Sequence, residues 1–324
     1  MKEFLISSPA RIHLGFLELN PKADRVFGSI GLAISKYKTK LKVRSSKEFN
    51  ISSFSKDYSK KAYEILGKLT KHYNFSPCQI NIIESIPSHC GLGSGTQLSL
   101  LIGKALLQIS KKKINIKKLA LILNRGNRSG IGIGCFEKGG FIIDAGKQKQ
   151  KSIPPIIFNQ KWPMEWKLLL IFDNKTSGIY GEQETQEFNK ILNVDKNISL
   201  YNYKAVITKV IPSLFEKDFE NFCLGIQEIQ ENTAKVFSKA QGGKYISKKI
   251  GKIFNHLEKK GIYGYGQSSW GPTGFIICKN LSYQEDILSE IKRFMRKFMI
   301  KDIKIEKIEA RNSGFFITQS KVNE

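Results

Sequence analysis

An irregular succession of strand and helix patterns predicts an α+β fold in two domains, one over residues 1–150 and one over residues 164–324. Three observations carry that expectation. Short segments of partly alternating polarity are interleaved with segments of helical spacing in the first half. The span 147–163, with Pro154, Pro155 and Pro163, reads as a linker. In the second half, long helical stretches precede short strands that surround one more helix, an order that suits helices on one face of a largely antiparallel sheet.

In chain order, residues 3–6 and 31–45 read as strands. Residues 57–74 put Ala62, Ile65, Leu66 and Leu69 on one helical face, and 79–84 read as a strand. Leu98, Leu101, Ile102, Ala105, Leu106 and Ile109 recur at three and four residues, which predicts a buried helix beginning inside or just after the preceding glycines. "IKKLALILNRG" predicts a helix ending near Gly126, and 139–146 predict a strand. Strands follow at 165–173, 273–278, 303–309 and 314–318, with helices over 203–232, 244–260 and 283–298.

Composition removes several function classes. The formal charge is +25, from 53 Lys and Arg against 28 Asp and Glu. Its lysines are spread without aromatic interleaving or a DNA-reading module, so a solvated face is preferred to a nucleic-acid surface. The same field attracts small polyanions. Five cysteines occur without CxxC or Cys/His clustering and read as reduced packing thiols with no zinc site. No apolar run reaches the roughly 20 residues needed to cross a bilayer, and "MKEFLISSPARIH" is too short in its apolar stretch for a signal peptide, so no membrane partner and a cytoplasmic location are expected. A homodimer is allowed.

The segment 87–97, "PSHCGLGSGTQ", lies between the strand 79–84 and the following helix. Glycines 91, 93 and 95 let backbone approach an anion at a helix N-terminus, where amides lack intrahelical partners, and Ser94 and Thr96 add hydroxyls. It is neither a Walker loop, since no Lys follows the last glycine, nor GxGxxG. Alone, it could be a plain strand-to-helix turn.

Together with "SPARIHLGF" before it and "GNRSGIGIGCFEKGGF" after it, the loop resembles the motifs of the GHMP kinase superfamily. That resemblance implies an N-terminal domain like domain 2 of ribosomal protein S5 and a ferredoxin-like C-terminal domain. Three departures stand out. The second Ser of the usual GLGSSA loop is Gly95, the Asp of the kinase SGxD motif is Gly132, and "GYGQSSWGPTGF" (264–275) replaces the C-terminal glycine-rich motif. With "DRVFGSIGLAI" these departures resemble the β-ribofuranosylaminobenzene 5'-phosphate synthase family of methanopterin biosynthesis. The resemblance implies a transferase joining phosphoribosyl diphosphate (PRPP) to 4-hydroxybenzoate or 4-aminobenzoate at the carboxyl-bearing ring carbon, with loss of CO₂ and diphosphate. The alternative is an ATP-dependent small-molecule kinase, which would need another base in place of the missing Asp.

Under that resemblance the expected PRPP clamp is Gly91, Gly93, Ser94, Gly95 and Thr96 with Arg11, Arg25, Arg128 and His89. Arginine suits phosphate through its paired donors, although each could equally be a surface ion pair. Mg²⁺ is expected with the diphosphate, with Asp24, Glu137 and Asp144 as candidate ligands, Asp144 equally as a turn cap. His13 is the candidate base for the phenol proton, or a structural histidine, and Asp24 stands beside it in the catalytic set. Gln267, Ser268, Ser269 and Thr273 are candidates to bind the aromatic acid, and Trp270 to stack on its ring or to sit in the core. Neither pyridoxal phosphate nor thiamine diphosphate is needed.

Overall fold

The computed structural model describes residues 3–148, 152–179, 181, 186–188 and 194–319. Two sheets organise it. The first is built on a long hairpin, β1 (Glu3–Glu18) and β2 (Phe27–Ser45), paired antiparallel from Glu3 opposite Arg44 to Glu18 opposite Phe27. The register shifts at Pro9/Ala10 and again at His13/Gly15, so the strand is bulged where His13 sits. Only residues 3–6 of β1 were expected. From Ser7 onward nearly every side chain is buried on both faces, which erases the alternation that marks a half-exposed strand.

β3 (Asn50–Ser53), α1 (Lys56–Thr70) and β4 (Cys78–Glu84) form a parallel β–α–β unit whose β4 pairs with β2. α1 buries Ala62, Ile65, Leu66 and Leu69, the predicted face. α2 (Ser94–Ile109) begins inside the glycine loop, with Gly93 left-handed (φ 83°) at its N-cap. α3 (Ile116–Ile122) is shorter than expected and ends before Gly126. α4 (Ile131–Glu137) was not foreseen: Gly132 and Gly134 deprive it of an amphipathic signature, yet a Cβ on Gly134 would lie 2.9 Å from Ile142 Cγ2, so the glycine lets the helix settle on the sheet.

β5 (Phe141–Asp144) pairs with β2, and β6 (Ile156–Gln160) pairs with β5. The span expected as a linker therefore contains a strand of the first sheet. A second sheet, wholly antiparallel in the order β10-β7-β9-β8, is made from β7 (Lys167–Asp173), β8 (Tyr265–Gln267), β9 (Thr273–Cys278) and β10 (Ile303–Ile308). Its helices are α5 (Lys196–Ala205), α6 (Ile211–Glu216), α7 (Phe219–Gln241), α8 (Lys248–Glu258) and α9 (Leu281–Lys297). A π-helical turn, Val206–Val210, joins α5 to α6 just ahead of Pro212, which has no N–H to continue the α ladder. β11 (Phe316–Gln319) returns to the first sheet and pairs with β1, so residues 316–319 do not belong with the C-terminal half as the expected boundary had it.

The layers follow from three apolar clusters. α1 and α2 cover one face of the first sheet, around Phe4, Ile6, Leu41, Val43 and Leu101. Its other face meets α7 and the second sheet through Ile12, Leu14, Phe141, Phe222, Ile226, Leu168 and Phe275. α8 and α9 cover the far side of the second sheet around Phe254, Tyr265 and Ile291. Burial of β1 on both faces is thus what joins the two halves.

Candidate active site

The glycine loop is seated against the "QSSWGPT" segment backbone to backbone. Gly91 has φ 73°, and a Cβ there would collide with the Ser268 carbonyl oxygen; a Cβ on Gly271 would lie 2.6 Å from Gly91 N. Ser268 locks this contact. Its hydroxyl donates to Gly91 O at 2.8 Å and accepts from His13 N at 3.0 Å, tying β1, the loop and the C-terminal half together. Arg11 adds a bond from Nη1 to Gly91 O and packs its stem under Gly93.

A cavity of about 530 Å³ opens above this joint. One end is polar. The amides of Ser94, Gly95 and Thr96 precede the first intrahelical bond, Gln97 N to Gly93 O at 3.1 Å, and the N-cap supplies no side-chain acceptor. These three residues line the cavity with Arg11, Arg125 and Arg128, and Lys61 and Lys68 reach it from α1. Glu64 is the one carboxylate among the described lining residues. Oriented amides and fixed cations around a partly enclosed space form an anion site by elementary electrostatics. The other end is aromatic: His13, Phe16 and Trp270 line it, with Phe237 4.3 Å from Trp270 and Phe188 5.4 Å from it between ring centroids.

Arg125 was not singled out from the sequence. It follows α3, its Nε donates to Ser99 Oγ at 3.1 Å, and its guanidinium lies 3.3 Å from where a Cβ on Gly95 would stand. That glycine, which replaces the kinase serine, is thus the space Arg125 uses. Burial lowers its pKa, but a guanidinium stays charged at any ordinary pH. The "NRGNRSG" spacing held the signal, since it carries Arg125 and Arg128 one turn of loop apart.

Of the other expected clamp residues, exposed His89 (φ 61°) lines the cavity, its pKa lowered by burial and then by Lys61. Arg128 stands with its guanidinium 5.2 Å from the Phe188 ring. Arg25 does not reach the cavity: Nε donates to Ala145 O at 3.0 Å and Nη2 to Gly146 O at 2.8 Å, so it closes the turn after β5.

The expected metal ligands are not brought together. Asp144 is fully buried and already accepts four hydrogen bonds, from Ser29 Oγ (2.5 Å), Ser129 Oγ (3.2 Å), Gly130 N (2.8 Å) and Gly146 N (2.8 Å). It caps rather than chelates. Burial raises its pKa against the lowering effect of those bonds. Glu137 is exposed at the end of α4, Asp24 is exposed in the turn before β2, and neither lines the cavity. Among the described residues no group of three His, Cys, Asp or Glu side chains could hold an ion.

The "QSSWGPT" residues divide. Ser269 (φ 57°) and Trp270 line the cavity. Gln267 does not: its amide donates to Ser269 O at 2.9 Å and Gln241 Oε1 at 3.2 Å and its oxygen accepts from Ile246 N at 2.8 Å. Ser268 is spent on the clasp, and Thr273 is buried in β9 away from the lining. His13 differs chemically from the base expected. Its Nδ1 accepts from Gly15 N at 3.2 Å, so the neutral ring carries its proton on Nε2 and has no lone pair left for a substrate. Burial and then Arg11 hold its pKa well below the ordinary imidazole value.

Gly132, in the place of the kinase aspartate, lies under the loop: a Cβ there would touch Thr96 Cγ2 at 3.3 Å, and its carbonyl accepts from Gln97 Nε2 at 2.8 Å. A side chain at this position would crowd the Thr96 methyl.

Comparison with known proteins agrees with this arrangement. Residues 57–139 match the N-terminal domain of GHMP kinases and residues 210–297 their C-terminal domain. A protein of Methanocaldococcus jannaschii described as beta-ribofuranosylphenol 5'-phosphate synthase is 33% identical, covering 83% of this chain and 88% of its own length. The chain belongs to the β-ribofuranosylphenol 5'-phosphate synthase family. The synthase of that name from Methanothermobacter thermautotrophicus is 26% identical over 85% of this chain and 88% of its own. The fold extends beyond the family: homoserine kinase from Cytophaga hutchinsonii superposes with a TM-score of 0.66 over 98% of both chains at 13% identity. Among the described residues no helix is long and apolar enough to cross a membrane.

Proposed function

We propose that this chain is a decarboxylating phosphoribosyltransferase that forms β-ribofuranosylphenol 5'-phosphate, the product in the names of its family relatives, from PRPP and 4-hydroxybenzoate. One observation carries the reading: a single cavity joins the open amides of α2 and three arginines to an aromatic wall, while Gly132 offers no carboxylate for phosphoryl transfer. The anionic groups of PRPP suit the first end and a flat ring suits the second.

In this reading the ring carbon bearing the carboxylate attacks the anomeric carbon of ribose as the bond to diphosphate breaks. The para hydroxyl gives its proton to solvent, and its oxygen supplies the electron pair and becomes a dienone carbonyl. The C–CO₂ bond then breaks, its electrons restore the aromatic ring, and the para oxygen returns as phenolate and takes a proton from solvent. Charge on the departing diphosphate is met by the amides of Ser94, Gly95 and Thr96 and by Arg11, Arg125 and Arg128. The residues present do not form a carboxylate set for Mg²⁺, since Asp144 is saturated and Asp24 and Glu137 are outside the cavity. Mg²⁺ is therefore proposed only as a companion carried by the diphosphate, and no step depends on it here.

Release of labelled CO₂ from carboxyl-labelled 4-hydroxybenzoate, dependent on PRPP and unaffected by ATP, tests the reading. ATP-dependent phosphorylation of a small alcohol without CO₂ release would establish the kinase reading instead.

A further inference from the structure

PRPP carries its diphosphate on C1 and a phosphate on C5 with the ribose ring between them, so a cavity that takes it must hold anions at two places. The amides of α2 with Arg11, Arg125 and Arg128 make one such place. A second group lines the same cavity from α1 and from the start of the glycine loop: Tyr58, Lys61, Ser88 and His89. Three contacts bring these four side chains together. Tyr58 Oη donates to Ile86 O at 3.2 Å and meets Ser88 Oγ at 3.2 Å, which pins the first turn of α1 to the loop. One turn further along α1, Lys61 Nζ lies 5.8 Å from the Tyr58 ring centroid. Burial and then the Lys61 charge lower the pKa of His89, so the ammonium stands near the imidazole. Among the described residues Lys61 pairs with no carboxylate. Both Lys61 and His89 are exposed, so a ligand in the cavity can reach them.

We propose that Lys61 and His89, framed by Tyr58 and Ser88, are the subsite for the 5-phosphate of PRPP, and that the amides of α2 with Arg125 are left to the diphosphate. The inference rests on the transferase reading above and divides its anion end into two. The donors decide which group goes where. Diphosphate gains charge as its bond to ribose breaks, and fixed amides with planar guanidinium groups are suited to meet that growing charge through paired bonds. The 5-phosphate keeps its charge throughout the reaction. A compact ammonium beside an imidazole is enough to hold it, and such a contact contributes affinity for PRPP in the ground state and the transition state alike.

The experiment titrates the full-length protein calorimetrically, at constant ionic strength, with ribose 5-phosphate and with inorganic diphosphate as separate probes. The native chain is compared with Lys61→Gln, Lys61→Arg, His89→Gln and Arg125→Ala. Lys60→Gln, on α1 but outside the cavity lining, removes the same charge as a control. Circular dichroism melting verifies that each variant is folded, and PRPP-dependent release of labelled CO₂ by the native chain is measured alongside. Lys61→Gln and His89→Gln are expected to weaken ribose 5-phosphate about tenfold and diphosphate less than about threefold, with Lys61→Arg retaining most of the affinity. Arg125→Ala is expected to show the opposite selectivity, and Lys60→Gln to change neither probe. The inference is overturned if Lys61→Gln weakens diphosphate as much as ribose 5-phosphate, if Lys60→Gln matches it, or if the native chain binds diphosphate but not ribose 5-phosphate. Any of these results beside PRPP-dependent CO₂ release leaves the transferase reading standing. A native chain that releases no CO₂ with PRPP overturns both.

Discussion

Asp144 illustrates how a residue can sit amid the motifs and still serve the fold. It was expected either to bind a metal or to cap a turn, and its four donors decide for the cap. Asp144→Ala would strand the buried amides of Gly130 and Gly146 and the Ser29 hydroxyl, so a loss on the order of 3 kcal/mol is expected in urea unfolding, with the Mg²⁺ dependence of the remaining activity the same as in the native chain. Arg125 makes the complementary case. Arg125→Ala should raise the KM for PRPP by roughly tenfold to a hundredfold with little change in the KM for 4-hydroxybenzoate, which steady-state titration of each substrate checks. His13 sets a pH dependence. Its pKa in the folded chain is lowered, by burial first and by Arg11 second, whereas in the unfolded chain it lies near about 6.5. Below that value the unfolded state binds a proton that the folded state refuses, so this stability is present above about pH 6.5 and drains away as pH falls toward the folded-state pKa. His89 and His256 are lowered in the same direction. Melting temperatures should therefore drop between pH 7 and pH 5, and His13→Gln should flatten part of that drop; an unchanged slope would place the effect in the other two.

At the scale of elements, what was legible depended on whether one face stayed exposed. α1, with Ala62, Ile65, Leu66 and Leu69 buried against a polar outer face, matched its pattern closely, as did β4 and α9. β1 beyond Ser7 was not legible because the C-terminal half covers its second face, a fact that no local window contains. α4 was lost to its glycines, and β6 to the prolines before it. The site shows the same division. The glycine loop, Arg11, Arg128 and Trp270 could be picked out from motifs, but whether Gln267 and Ser268 face the ligand or the scaffold turns on contacts with Gln241, Ile246 and Gly91 that lie far off in the chain. The loop's seat follows from those contacts. Gly91→Ala should force the loop off Ser268 and Gly271, since both the positive φ and the carbonyl contact forbid a Cβ. The expected result is a loss of at least about 2 kcal/mol of stability together with loss of PRPP binding, whereas Gly67→Ala, where a Cβ meets nothing within 4 Å on α1, should stabilise by a few tenths. Equal melting temperatures for the two variants would refute this account of the joint.

For the whole molecule, the excess of 25 positive charges acquires a direction from the cavity. Arg11, Arg125, Arg128, Lys61 and Lys68 surround the amide end against Glu64, the one carboxylate among the described lining residues, so the field is strongest where the polyanionic substrate is proposed to bind. A second, larger cavity of about 770 Å³ between α8 and α9 is also cationic, with Lys252, Lys260 and Arg293, but it lacks the open amides and every motif residue. Its ion pairs with Glu290 make it a solvated face. The two substrates therefore sample the field differently. PRPP carries several negative charges and the aromatic acid carries one carboxylate and binds largely through its ring, so screening should weaken the first far more than the second. Raising KCl from 50 to 300 mM (about 14 to 6 Å in Debye length) should raise the KM for PRPP by about tenfold and that for 4-hydroxybenzoate by less than about threefold. Measuring both constants across that range, with sucrose of matched osmolarity as control, decides the matter: parallel salt dependences would mean that the net charge serves solubility and not substrate capture.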